Sequence, residues 1–171
     1  LRKKIGFVPQ KASLVSGTIA DNLRFGSAEA SEEDMNKALS IAQAEEFVTK
    51  EKGGVNAAVS QDGSNFSGGQ KQRLSIARAL VRKPEVYIFD DSFSALDFKT
   101  DAKLRRALAS EVTQASVFIV AQRVSTVMNA DNILVLDEGH LVGQGTHREL
   151  MQSCGTYREI VESQLSVEEL A

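Results

Sequence analysis

Two short apolar segments separated by a helical pattern constrain the fold of this chain more than any other feature. Val86–Phe89 is a continuous apolar run, and Val117–Ala121 is a second one. Runs of this length predict strands covered on both faces, as in a parallel sheet. The helical pattern from Thr100 to about Val112 provides the crossover between them. The sequence therefore predicts a right-handed βαβ unit within an α/β fold.

The residues that precede this unit predict one further strand and two helices. Ile5–Val8 is rich in β-forming residues and ends at a proline, which predicts a buried strand that runs into a loop at Gln10. Thr18 can cap a short helix. The Ser-Glu-Glu-Asp segment at Ser31 resembles a capping box, and apolar residues then recur at helical spacing. Residues 31 to about 50 are accordingly predicted to form one amphipathic helix.

The last forty or so residues predict a hairpin followed by helices. Asn132–Leu136 and Leu141–Val142 are short apolar segments that flank a turn containing Gly139, which is typical of two antiparallel strands. Two short helices are predicted to begin at about His147 and Tyr157. The two histidines of the chain lie in this region, and we interpret them as turn or helix-start residues, because no metal-ligand cluster surrounds them.

Composition excludes several classes of protein. The chain has 171 residues, of which 42% are hydrophobic and 25% charged, as expected for one globular domain. The net charge of -3 and the dispersed Lys and Arg residues argue against nucleic-acid binding. The single cysteine, Cys154, is interpreted as a packing residue. No apolar run approaches the ~20 residues that cross a bilayer. We interpret the start at Leu1 as a point within a domain and not as a natural N-terminus.

The most specific motif is the segment Asn-Phe-Ser-Gly-Gly-Gln, which contains Ser67, Gly68, Gly69 and Gln70. It opens a strong helical pattern that ends at Pro84. A serine and two glycines at a helix start present a hydroxyl and bare N–H groups at the positive end of the helix dipole, which can seat a phosphate. Taken alone, the segment also fits a Gly-rich turn before a helix.

A second motif follows about 20 residues later. The apolar run Val86–Phe89 ends in Asp90, so a buried strand delivers a carboxylate to its C-terminal end, where it can hold Mg²⁺ through water. The segment Ser94-Ala-Leu-Asp97 comes shortly afterwards. The carboxylate at the strand end is common by itself, but its distance from the Ser-Gly-Gly-Gln helix makes the combination specific.

With these motifs, the whole chain resembles the nucleotide-binding domains of ABC transporters. Gln10 matches the Q-loop glutamine, Ser67–Gln70 the signature, Asp90 the Walker B aspartate and Ser94–Asp97 the D-loop. The resemblance is strongest to exporters of the multidrug, lipid and peptide type. It implies ATP and Mg²⁺ as cofactors, with Gln10 and Asp90 at the metal. Ser67, Gly68, Gly69, Gln70 and Asp97 would then contribute to nucleotide binding.

The resemblance also implies the architecture. We expect a P-loop NTPase (RecA-like) parallel-sheet core, formed by residues 1–10 and 85–171, and a helical subdomain at about residues 11–84. No Gly-x-x-x-x-Gly-Lys-Ser/Thr segment occurs in the 171 residues. The backbone nest and lysine of the Walker A phosphate loop are therefore not part of this sequence, and we expect the core to be incomplete at its N-terminus.

Two residues depart from the family pattern. The position after the Walker B aspartate is normally glutamate, the general base, and is Asp91 here; the switch position is normally histidine and is Gln122 here. Asp is shorter than Glu by about 1.5 Å, and Gln cannot ionise. Because general-base help is worth ~10² to 10⁴ in rate, the Walker B side of this site is expected to bind ATP but hydrolyse it poorly.

The resemblance implies a membrane-bound assembly. Two such domains sandwich two ATP molecules, so an intact signature beside altered Walker-side residues resembles one half of a heterodimeric exporter. The partners would be a second ABC subunit and transmembrane domains, at the cytoplasmic face of the cell membrane. Two alternatives remain open: an ABC ATPase of DNA repair or chromosome maintenance, and a module that binds ATP only to dimerise.

Overall fold

The chain divides into two units, and the first is built around a three-stranded parallel sheet. The computed structural model describes the backbone of residues 4–168 and the side chains of residues 4–164. The units are residues 1–120 and 121–171. The first contains β1 (Ile5–Val8), β2 (Gly17–Thr18), α1 (Ile19–Arg24), α2 (Glu32–Ile41), α3 (Glu45–Lys50), β3 (Ala58–Val59), α4 (Gly68–Val81), β4 (Val86–Asp90), α5 (Phe98–Glu111) and β5 (Ser116–Val120).

In the sheet, β4 lies between β1 and β5 and pairs with both in parallel. The helix α5 connects β4 to β5, so the predicted βαβ unit is confirmed. Phe89 of β4 is fully buried in the core, whereas Phe118 of β5 is 57% exposed. The prediction that both strands are covered on both faces is therefore wrong for β5. Among the described residues of the first unit, the helices pack on the Phe89 side of the sheet and none covers the Phe118 side.

The predicted helix of residues 31–50 is two helices. The capping box at its start is confirmed, because the Ser31 side chain accepts from the Asp34 N–H while the Asp34 side chain accepts from the Ser31 backbone. However, α2 ends at Ile41 and α3 begins at Glu45. Between them Gln43 adopts a left-handed conformation with φ of 57°. A single left-handed residue ends the hydrogen-bond pattern of a right-handed helix, and the apolar spacing does not reveal it.

The helix α4 forms much of the core of the first unit. Leu74, Ile76 and Ala77 are almost fully buried and belong to the same cluster as Phe89 of β4. The helix ends at Val81, slightly earlier than the Pro84 boundary predicted from the sequence. Residues before a proline disfavour helical geometry, which is consistent with this early end.

The second unit is built on a hairpin. It contains α6 (Val124–Val127), β6 (Ile133–Asp137), β7 (His140–Gly145), α7 (His147–Ser153) and α8 (Gly155–Glu168). Glu138 and Gly139 form the turn with φ of 46° and 80°, as two-residue hairpins require, so this prediction is confirmed. The buried residues Ile133, Leu150, Cys154 and Tyr157 form its core. None of the described helices is long and apolar enough to cross a membrane.

The capping residue Asp34 makes the stability of the first unit depend on pH. Hydrogen bonds from Lys83 and then from Ser31 lower the pKa of Asp34 from 3.8 to about 2. Because the folded-state pKa is depressed, the ionised Asp34 side chain stabilises the fold at pH values above the unfolded pKa of 3.8. This stabilisation is lost as the pH falls towards 2. We expect Asp34→Asn to flatten the decline in urea midpoint across this window. A variant whose midpoint falls as steeply as that of the parent would contradict the assignment.

Candidate functional site

The carboxyl ends of β1 and β4 bring three predicted site residues to one edge of the sheet. Gln10 lies two residues beyond β1, Asp90 is the last residue of β4, and Asp91 follows it. Parallel strands end at the same edge, which is where open α/β sheets bind their ligands. The strand β4 thus positions Asp90 and Asp91 because its alternate residues, Tyr87 and Phe89, are anchored in the core.

Asp91 is held in a conformation that its residue type rarely adopts. Its φ is 43°, in the left-handed region, at a typical cost of about 1–3 kcal/mol. Backbone hydrogen bonds on both sides keep it there. Its N–H donates to the Val120 carbonyl at 2.9 Å, and its carbonyl accepts from the Ser94 hydroxyl at 2.8 Å. The backbone of Asp91 is therefore bonded to the end of β5 and to Ser94, three residues further along the chain.

The side chain of Asp91 has a specific partner. Gln10 Nε2 donates to Asp91 Oδ2 at 3.0 Å, although the two residues are separated by 81 positions in the sequence. Gln10 is exposed and Asp91 is half-buried. Gln10 and Asp91 thus contact each other directly.

Two buried polar residues that the sequence analysis did not select support this edge. Ser92 is fully buried, and its hydroxyl donates to the Val8 carbonyl at 2.9 Å, which links the end of β4 to the end of β1. Gln72 of α4 is 1% exposed and donates through Nε2 to the Pro9 carbonyl at 3.2 Å. Their positions next to Asp91 and within the signature helix were the only available signals.

The signature residues form the start of the 14-residue helix α4. The Ser67 hydroxyl oxygen accepts from the Gln70 N–H at 3.2 Å, and Gln70 Oε1 accepts from the Ser67 N–H at 2.8 Å. This is a capping box, a role for Gln70 that the phosphate-binding interpretation did not include. The N–H groups of Gly68 and Gly69 have no acceptor within the helix, because the first turn of any helix lacks one. Ser67 and Gly68 are exposed, so this end can receive an anion.

The segment Ser94–Asp97 packs against the start of α4. A Cβ added to Gly69 would lie 3.3 Å from the Ala95 carbonyl oxygen and 3.8 Å from Leu96. Asp97 caps α5, and its Oδ1 accepts from the Thr100 N–H at 3.0 Å. Hydrogen bonds from Thr100 lower the pKa of Asp97. Asp97 is therefore an anion that orders the start of α5, and its contact with nucleotide stays a prediction.

The oxygen donors at the sheet edge fit Mg²⁺. Nucleotide-bound Mg²⁺ is usually held by one or two protein oxygens together with phosphates and water. Asp90 and Gln10 provide a carboxylate and an amide oxygen, and the described residues contain no cluster of three or more acidic, His or Cys side chains that would hold a metal by itself.

Gln122 lies in the second unit, where its carbonyl accepts from Gln164 Nε2 at 2.7 Å. Its switch role stays a prediction.

Comparisons with known proteins point to one family. The ABC transporter family model matches residues 1–94. An uncharacterized ABC transporter ATP-binding protein of Mycobacterium tuberculosis is 48% identical over 163 residues, covering 94% of this chain and 28% of that protein. One of Bacillus subtilis is 45% identical over 168 residues, covering 98% of this chain and 29% of that protein. The chain thus spans less than a third of the length of these relatives.

A solved structure shows the same fold. The structure of a bacterial Atm1-family ABC exporter with ATP bound matches with a TM-score of 0.91 at 35% identity, and the match covers 95% of this chain and 29% of that one. The family model matches more than half of the 171 residues, including the signature and Asp90. This chain therefore belongs to the ABC transporter family as an ATP-binding domain with the α/β fold of P-loop NTPases.

Proposed function

We propose that this chain couples ATP binding and hydrolysis to export of a substrate across a membrane. The observation that carries the proposal is the meeting of Gln10 and Asp91 beside Asp90 at the carboxyl edge of the sheet, on the same unit as an exposed signature helix start. The similarity to an exporter structure with ATP bound supports the transport role. In this proposal residues 11–84 are the helical subdomain, and the domain lies at the cytoplasmic face of the cell membrane.

The residues would divide the work between two nucleotides. Asp90 and Gln10 would hold Mg²⁺, which neutralises phosphate charge when it is bound. The N–H groups at Gly68 and Gly69 would bind the γ-phosphate of an ATP carried by a partner subunit, because Ser67 and Gly68 are exposed. These protein groups would thus orient the nucleotide and neutralise its phosphate charge, which is most of what phosphoryl transfer requires of an enzyme.

The altered residues support an asymmetric pair. Asp91 has the shorter carboxylate, and Gln10 already occupies one of its oxygens. Gln122 would donate a hydrogen bond at the switch position but could not ionise. We therefore propose that the site with this subunit's Walker B residues turns over slowly, and that its signature completes a competent site on a second ABC subunit.

The test is ATP turnover by the full-length protein, in membranes, with and without its partner subunit. The pair is expected to hydrolyse ATP, and the subunit alone is expected to do so far more slowly. Full activity of the subunit alone would refute the asymmetry. Co-purification with transmembrane domains is expected as well, and its absence would favour an ABC ATPase of another kind.

A second candidate is a regulatory module that binds ATP without hydrolysing it. Asp91 and Gln122 favour it over a self-sufficient ATPase, because both the general-base and the switch positions are altered. The two candidates differ in the turnover of the pair. No hydrolysis by the assembled pair, together with ATP-dependent association of its subunits, would identify the regulatory module.

A further inference from the structure

The hydrogen bond between Gln10 and Asp91 determines which way the Gln10 amide faces. A carboxylate only accepts hydrogen bonds, so the group of Gln10 that lies 3.0 Å from Asp91 Oδ2 is the NH₂. The amide oxygen, Oε1, then points to the other side of the same planar group. Among the described residues, no donor bonds to Oε1. That oxygen is the only side-chain atom of Gln10 that can bind a cation, because an amide NH₂ is not a metal ligand.

Asp91 is the fixed member of this pair. Its backbone is held by Val120 and Ser94, and its left-handed φ of 43° directs the short side chain. Gln10, in contrast, is an exposed residue in the loop after β1, with several rotatable bonds. Without a partner, its amide could face a cation with either end. The rigid carboxylate removes this freedom by binding the NH₂.

We propose that Asp91 is a positioning residue that orients the Gln10 amide oxygen as a Mg²⁺ ligand, and that it does not act as the general base. This inference rests on the proposed ATP-binding function. It explains why a short carboxylate at this position remains useful: the interaction needs an acceptor close to the backbone at the end of β4, and it does not need to reach an attacking water molecule. Outer-shell carboxylates that orient metal ligands commonly contribute in this way.

The expected consequence is a change in metal affinity. Asp91→Gly removes the carboxylate and adopts a positive φ without strain, so the fold should be retained. We expect it to weaken metal binding by ~10 to 100-fold, the usual effect of removing an outer-shell partner. Asp91→Asn keeps an acceptor and tolerates the same backbone conformation, so its metal affinity should stay close to that of the parent.

The experiment uses the full-length protein with a non-hydrolysable ATP analogue, and it follows Mn²⁺ binding by electron paramagnetic resonance. The parent is compared with Asp91→Gly, Gln10→Ala and the double variant. If Asp91 acts only through Gln10, Asp91→Gly should have no further effect in the Gln10→Ala background. Glu138→Gly is the matched control, because Glu138 is also acidic and left-handed, with φ of 46°, but lies in the hairpin turn of the second unit.

The outcomes are distinguishable. An unchanged Mn²⁺ dissociation constant in Asp91→Gly would overturn the inference and leave the proposed function standing, as would effects of the two single variants that multiply in the double variant. A parent that binds no Mn²⁺ with the nucleotide analogue would overturn the proposed function and the inference together. Loss of metal affinity in Asp91→Gly with none in Glu138→Gly, and no further loss in the double variant, would support it.

Discussion

Gly69→Asp in the assembled full-length transporter is expected to lower steady-state ATP turnover by roughly 10³-fold. The substitution places a carboxylate at the start of α4, where the proposed γ-phosphate of the partner's ATP would bind. Two like charges about 4 Å apart repel by about 4 kcal/mol at an effective dielectric constant of 20. Because each ~1.4 kcal/mol is a factor of ten in rate, the loss should approach three orders of magnitude.

Controls separate charge from sterics. Gly69→Ala adds a Cβ 3.3 Å from the Ala95 carbonyl oxygen, so that segment must yield by a few tenths of an ångström and only part of the loss should appear. Gly68→Ala meets nothing within 4 Å and should have a smaller effect still. Asp91→Asn should also matter far less than Gly69→Asp. Equal losses from Gly69→Asp and Asp91→Asn would show that Asp91 is a working catalytic residue, and the asymmetric proposal would have to be abandoned.

Phe89→Ala is expected to destabilise the first unit by about 3–5 kcal/mol. Phe89 is fully buried in the central strand. The centroid of its ring lies 5.3 Å from the ring centroid of Phe93 and 6.0 Å from that of Tyr87. Removing the ring loses this burial and leaves a cavity between the sheet and its helices. The strand that carries Asp90 and Asp91 would then lose its main anchor.

The measurement is urea unfolding of the 171-residue chain, followed by far-UV circular dichroism. Phe118→Ala is the matched control, because Phe118 lies in the neighbouring strand and is 57% exposed. Its effect should remain within about 0.5 kcal/mol, as for most exposed positions. Comparable losses of unfolding free energy in the two variants would mean that Phe89 is not a main contributor to the stability of the core.

Much of the fold was predictable because its signals are local. The helix cap at Thr18, the capping box at Ser31 and the turn at Gly139 are set by residues within three or four positions of one another. The strands β1 and β4 are apolar runs that end at recognisable residues. Candidate site residues could be selected from the sequence where they form a short motif, as Ser67–Gln70 do, or end a strand, as Asp90 does; their roles at a nucleotide stay predictions.

The remaining features depend on contacts between distant parts of the chain. The break at Gln43 involves Arg73 of α4, whose side chain donates a hydrogen bond of 2.7 Å to the Gln43 carbonyl. The open side of β5 depends on which elements pack on the sheet. Neither feature has a periodic pattern in the sequence, because hydrophobic spacing reports that a face is apolar and does not report what covers it.

The sequence by itself determined the family and the order of most helices and strands, and it selected the residues that we predict to hold a nucleotide and Mg²⁺. Only the tertiary structure decided what these residues do to one another. Gln10 and Asp91 are 81 positions apart, and their hydrogen bond exists because β1 and β4 pair in parallel and end at the same edge. Such a pairing is a property of strand register, and the sequence near either residue does not contain it.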